Sequence, residues 1–274
     1  IPAGTTGFDD VRFVLENLPR LTTRPAHIKQ LRQTILNLAV RGKLVPQDSN
    51  DESVSVPSKH IEKRIRDDEP FSVPSSWHWV SVDQISQARL GKMLDKVKNK
   101  GTPRRYLRNV NVRWFDFDLY DVYEMPFEDD ELEEFMLLGG DVLICEGGEP
   151  GRAAVWDERE NGIYFQKAIH RVRFPRGVNP HYFVKVIREA ADSGRLQTYF
   201  TGVGIKHFTG KGLASFLMPL PPLAEQDRIV VKVDELMALC NQLETQLTST
   251  ATDSRRLLEA LLHEALSPVA EQAA

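Results

Sequence analysis

Cysteine is scarce in this chain: among 274 residues only Cys145 and Cys240 occur. Two cysteines so far apart offer neither metal-ligand spacing nor a disulfide framework, so both read as small buried hydrophobes in a reducing compartment. No run of eighteen apolar residues occurs, which leaves no candidate for a membrane-spanning helix. The opening IPAGTTGFDD lacks the basic and apolar regions of a secretory signal, and Ile1 in place of methionine fits a trimmed or tagged chain. There is no Walker A run, and no glycine-rich turn following a strand that could hold a nucleotide or methyl donor. The histidines show no ligand spacing, and His60, His78 and His263 read as surface or core residues. A metal-dependent nuclease needs an Asp followed by Glu-x-Lys. Asp141 is followed by Glu146 and Glu149, but neither has a lysine two residues on. The acidic run EDDELEE reads as a solvated face. Asn179-Pro180-His181-Tyr182 approaches the Asn-Pro-Pro-Tyr loop of amino-methyltransferases, yet it lacks the second proline. It reads instead as a helix N-cap followed by proline at the first helical position.

What is present is an ordinary globular composition, 41% hydrophobic and 27% charged, with a net charge of −4. That mild total hides a segregation. Residues 85–115 carry a balance of +8, residues 116–160 of −14, and residues 161–212 of +7. If the two basic blocks meet in space they form a surface for a polyanion, with the acidic block held away from it.

Residues 7–46 read as helical. Phe8, Val11, Val14, Leu15 and Leu18 repeat at helical spacing, and Ile28, Leu31, Ile35 and Leu38 follow Pro25 at steps of three, four and three. Gly42 suits a left-handed helix cap. Residues 45–59 read as a polar linker. The middle of the chain is β-rich, with strands expected in WHWVSV, VNVRWFDF, DVLICE, AAVW and HRVRF, and a helix after Asn179. GGEPGR reads as a tight turn or a place of close backbone approach. The end returns to helix. After Pro221 and Pro222, the residues Ile229, Val233, Leu236, Cys240, Leu243 and Leu247 alternate steps of four and three, the a/d seam of a coiled coil. The Ile28–Leu38 helix has the matching period, so the seam could be met within the chain or by a second subunit. The polar stretch TSTATDS leaves two readings open, a helix that breaks or loosens there and one that runs on. Ending at Leu247 it would measure about 37 Å, and running to Leu266 about 65 Å. The expected fold class is α+β: a mixed globular domain joined to long helices that pair as a coiled coil. The expected boundaries are 1–60, 61–221 and 222–274.

Five stretches carry a resemblance. PLPPLAEQDRIVVKVDELMALCNQLE (219–244), LRQTILNLAVRGKLVPQD (31–48), VPSSWHWVSVDQI (73–85), GDVLICEGGEPGRAAVW (140–156) and GIKHFTGKGLASFLMPLPP (204–222) resemble, in order, segments of the specificity subunits of type I restriction-modification enzymes. A full subunit of that family has two target recognition domains and two conserved helical regions, and this chain has room for one of each. The resemblance therefore implies a half-length subunit, or the N-terminal half of a full one, that reads double-stranded DNA without catalysing chemistry and can pair with a second copy. It also implies methyltransferase and restriction subunits as partners, cytoplasmic location, and S-adenosylmethionine, ATP and magnesium confined to those partners. A rod of 37–65 Å corresponds to roughly 11–19 base pairs at ~3.4 Å each, the scale of a two-part site. A stand-alone DNA-binding regulator paired by its helices, or an enzyme in its own right, remain the alternatives.

Residue types then nominate the contacts. Lys92, Lys96, Lys98 and Lys100 suit phosphates, while Arg104, Arg105, Arg108, Asn109 and Asn111 can make bidentate contacts with bases. Lys167, His170 and Arg171 form a second strip, and Lys206, His207 and Thr209 a third. Ile28, Leu31, Ile35, Leu38 and the C-terminal seam from Ile229 to Leu247 are the expected subunit interface. No residue set is nominated for catalysis or for a metal.

Overall fold

A computed structural model of the chain describes residues 24–52, 54, 69–95, 97 and 99–266. The expected helix around Phe8–Leu18 and the lysines Lys96 and Lys98 lie outside the described residues. Two compact units are present, one of residues 1–35 with 234–274 and the other of residues 36–233.

The larger unit is built on three small sheets. Strand β1 (His78–Ser81) pairs antiparallel with β9 (Leu217–Leu220). The four-stranded sheet runs β2 (Gln87–Leu90), β8 (Ile169–Arg173), β5 (Val142–Cys145), β6 (Ala153–Val155) in antiparallel order. The third is β4 (Tyr123–Phe127), β3 (Thr102–Leu107), β7 (Tyr164–Phe165), with β3 and β7 parallel. β5 reads VLIC and is buried along its whole length, the continuous apolar run expected of a strand covered on both faces. Leu143 and Cys145 point into a core shared with Leu107, Phe127, Phe165 and Trp156. Burial there pushes the Cys145 thiol up to about 11, so it is an inert apolar group at neutral pH.

Helix α1 (Pro25–Val40) opens the described chain, and Gly42, at φ +65°, caps it as expected. The one-turn helices α2 (Val82–Ile85) and α3 (Leu132–Phe135) follow. Helix α4 (Pro180–Asp192) buries Tyr182, Phe183, Val186 and Ile187, a stripe worth about 1.5–3 kcal/mol per side chain. Asn179 Oδ1 accepts from the backbone N–H groups of His181 and Tyr182 at 2.8 and 3.3 Å, which is an N-cap. The Tyr182 hydroxyl donates to the Pro219 carbonyl at 3.0 Å inside the fold, so it has no face on which a base could stack. Helix α5 (Gly210–Ser215) is a short connector before β9.

Helix α6 (Leu223–Leu266) is continuous for 44 residues. Of the two readings left open at TSTATDS the continuous one holds, since serine and threonine are tolerated where their hydroxyls turn back on the helix. Thr245, Thr248 and Thr252 each donate to the carbonyl four residues earlier. One further expectation is corrected. VNVRWFDF is not a strand: residues 109–111 form a 3-10 turn, and Val112 and Phe117 bridge across a tight loop in which Phe115 takes φ +66°. Its place is taken by β3 and β4, whose prolines concealed them. Pro103 and Pro126 stand opposite one another, a pairing that works only where the ladder asks neither for an N–H.

Candidate nucleic-acid interface

The seam residues settle first, each within its own unit. In the unit of residues 1–35 and 234–274, Ile28, Ile35, Leu236, Cys240 and Leu243 are buried and Leu31 and Leu247 half-buried. Arg32 donates to Asn241 Oδ1 and Glu244 Oε2, both at 2.7 Å, tying α1 to α6. In the other unit Ile229 and Val233 are buried and Leu38 half-buried. The expected subunit interface at these positions is therefore corrected: this stretch of seam is already covered inside one chain. Exposed apolar residues recur further along α6, at Leu257, Leu258, Leu261, Leu262 and Leu266, beside Leu223 and Val231 near its start.

The LAEQ run has a structural office in the larger unit. Glu225 is buried and accepts from Trp77 Nε1 at 2.9 Å and from Gln47 Nε2 at 2.5 Å. Gln226 donates to the Gly177 and Pro221 carbonyls at 3.0 and 2.9 Å and accepts from the Asn179 N–H at 2.8 Å. Burial, the larger influence, pushes the Glu225 carboxyl above its ordinary range despite those donors. Arg228 clamps Asp51 at 3.0 and 2.5 Å, and this hydrogen bond holds the Asp51 carboxyl below the usual carboxylate range.

The charge blocks do not segregate. β3, from the basic block, pairs with β4, from the acidic one, and cations of the basic block reach carboxylates of the acidic block in the surrounding loops and turns. Arg105 meets Glu160 at 2.5 Å, Arg108 meets Asp121 at 2.7 Å and Arg113 meets Asp118 at 3.0 Å, while Arg89 pairs with Glu134 and Lys92 with Glu131. Arg173 holds buried Asp141 through two bonds of 2.6 and 2.7 Å. The expectation that the acidic block stands apart from a basic face is thus overturned, because cations of the basic block are ion-paired with carboxylates of the acidic one.

Several nominated contacts are withdrawn for the same kind of reason. Lys92 is buried against Glu131 and the Phe127 ring. Asn111 is buried and accepts from the Arg108 N–H while donating to the Asp118 and Asp121 carbonyls. His170 is 2% exposed with Nε2 against the Phe208 carbonyl at 2.9 Å, and burial lowers its pKa, so it supplies no surface cation at neutral pH. Arg171 is buried and donates to the Glu134 carbonyl at 3.0 Å. Thr209 caps α5 by accepting from the Gly212 N–H at 3.3 Å. Arg108 also lies 3.6 Å over the Tyr123 ring, so neither it nor Arg105 is a free cation.

What remains is gathered by a run of backbone bonds. Lys167 N–H donates to the Lys92 carbonyl at 2.7 Å, Glu146 N–H to Ala168 at 2.9 Å, and Phe208 N–H to Glu146 at 2.8 Å. A Cβ on Gly147 would stand 3.3 Å from His207 Nδ1, and one on Gly148 3.0 Å from Asn109 Nδ2. The close approach that GGEPGR permits is therefore to these protein loops, across the β5–β6 hairpin. One ridge results, carrying exposed Lys167, Lys206 and His207, half-buried Asn109, and the start of the loop from Met93 to Lys100. Arg104 stands half-buried on β3. Sequence reasoning missed the apolar members of this ridge, Met93, Leu94, Val97, Val110, Val203 and Ile205, all exposed. Their only sequence signal was apolar residues set among lysines in loops, where no strand or helix needed them. Among the described residues no group of three or more His, Cys, Asp or Glu could hold a metal ion, and no helix is long and apolar enough to cross a membrane.

Cations and exposed apolar side chains thus stand on loops of a small mixed domain, and one very long helix follows it in sequence. A family model described as "Type I restriction modification DNA specificity domain" matches residues 74–252, and the chain belongs to that family. It is 28% identical over 282 residues to the type I restriction enzyme EcoAI specificity subunit of Escherichia coli, covering 93% of this chain and 47% of that protein. It is 25% identical over 264 residues to the EcoKI specificity subunit of Escherichia coli strain K12, covering 94% and 51%. The chain thus spans about half the length of these relatives. Its fold is similar to the HsdS subunit from Thermoanaerobacter tengcongensis, with a TM-score of 0.56 at 18% identity over 95% of this chain and 55% of that one.

Proposed function

We propose that this chain is a non-catalytic DNA-reading component of a type I restriction-modification enzyme, recognising one half-site through residues 61–221. The observation that carries the reading is the set of neighbouring loops bearing Lys167, Asn109, Lys206 and His207, held around the β5–β6 hairpin, in a chain of this family. The lysines engage phosphates, and Asn109 and Arg104 read base edges. Residues 222–274 act as spacer and docking rod. A second copy of the chain pairs through the exposed stripe Leu257–Leu266, beyond the stretch of seam that α1 already covers. Methyltransferase and restriction subunits, carrying S-adenosylmethionine, ATP and magnesium, assemble on that rod in the cytoplasm. Expression with its methyltransferase partner tests the reading: adenine or cytosine methylation should appear at a defined set of genomic sites and vanish when this chain is omitted. A purified chain that brings no methyltransferase with it, and directs no methylation, is instead the stand-alone regulator.

A further inference from the structure

Between Phe200 and Phe208 the chain forms a closed loop. Thr201 and His207 exchange two backbone bonds, each N–H donating to the other's carbonyl at 2.9 Å. Lys206 Nζ donates across the loop to the Gly202 carbonyl at 2.8 Å. Gly202 has φ +99°, and a Cβ there would stand 2.1 Å from the Ile205 carbonyl oxygen, so the turn admits only glycine. The root is anchored by Phe208, fully buried, its ring centroid 5.6 Å from Phe200 and 6.3 Å from Phe216. The loop is tied at its base and across its middle, yet it holds Val203 and Ile205 at 101% and 76% exposure.

Two β-branched aliphatics kept in water on an ordered loop contribute nothing to the core. Their restricted χ1 leaves little rotamer freedom to lose when something covers them. The surroundings say what that is. Residues 200–212 contain Lys206, His207 and Lys211 and no carboxylate, and Lys167 lies along the same ridge. A partner matching this surface is polyanionic and displays an apolar group in reach of a narrow loop. The major groove of duplex DNA offers one such group, the C5-methyl of thymine.

We propose that loop 201–207 is a groove-inserting finger that recognises thymine methyl groups through Val203 and Ile205, with Lys206, one N–H held by the Gly202 carbonyl, keeping its other two donors for phosphate. This rests on the DNA-reading function above and adds to it the residues and the base chemistry they sense. The test begins with the full chain and a randomised duplex pool, from which its preferred sequence is selected. Each thymine of that sequence is then replaced singly by uracil, which keeps the pairing face and removes the methyl. Wild-type affinity should fall about fourfold at one or two positions, the effect of one buried methyl group. The Val203→Ala/Ile205→Ala variant should bind the thymine duplex more weakly, be indifferent to uracil, and keep the wild-type salt slope. Its thermal midpoint should not move, since both side chains are already in solvent. A wild type indifferent to every uracil, a selected sequence without thymine, or a variant that keeps the methyl sensitivity overturns the finger while leaving DNA reading intact. Selection of no sequence at all by the wild type removes both.

Discussion

Arginine and lysine play different parts in this chain. Arginines are repeatedly drawn into the fold by carboxylates, as at Arg105–Glu160, Arg108–Asp121 and Arg173–Asp141, where the planar fork fits its partner. The ridge is left to lysines, Lys167 and Lys206. Lys167→Ala and Lys206→Ala should each weaken binding to selected and random duplexes alike and lower the salt slope by about one. Arg105→Ala should change the slope little, since Glu160 already neutralises that charge. Titrations at several salt concentrations check this, and a Lys206 effect confined to the selected duplex would contradict it. Glu225 gives a stability prediction. Its folded-state pKa is raised by burial, so the folded state binds the proton more tightly than the unfolded chain does. Its contribution is therefore fully present below the ordinary carboxylate range and lost as pH rises through the raised value. Glu225→Gln keeps an acceptor for Trp77 and removes that loss, so urea-unfolding free energy should fall less between acidic and neutral pH than in the wild type. An unchanged pH profile would show that Glu225 is not desolvated.

At the scale of elements, α6 has two apolar stretches with different employment. Leu236 and Leu243 are buried within their unit, beside the Arg32 clamp to Asn241 and Glu244. Leu258 and Leu262 are in water. Leu236→Glu/Leu243→Glu should lower the melting temperature, as introducing buried charge without a partner costs several kcal/mol. Leu258→Glu/Leu262→Glu should leave melting of the isolated chain alone and abolish self-association in ultracentrifugation. The reverse pattern would restore the seam as the subunit interface. The elements also show where sequence patterning reached. Helices with strong local signals, such as Pro25 to Gly42 and Asn179–Pro180 onward, were readable because caps and periodicity are local. β3 and β4 were not, because their pairing joins residues 102–106 to 123–127 and hides prolines in a ladder. The same nonlocal pairing explains the candidate site. Residue type nominated His170, Arg171, Asn111 and Lys92, but the fold used them internally. Val203 and Ile205 were passed over because exposure cannot be seen in an apolar residue's name.

For the whole molecule, the account makes one symmetry claim. In the proposed reading two copies of this chain pair, and two identical copies would impose their two-fold axis on the DNA. The measurement that bears most directly on this is a genome-wide map of methylated bases in cells expressing this chain as the sole specificity component beside its methyltransferase. The account predicts a palindromic site, two inverted copies of one half-site separated by a fixed spacer. Methylation at an asymmetric site, at a single undivided site, or at no defined site would contradict it.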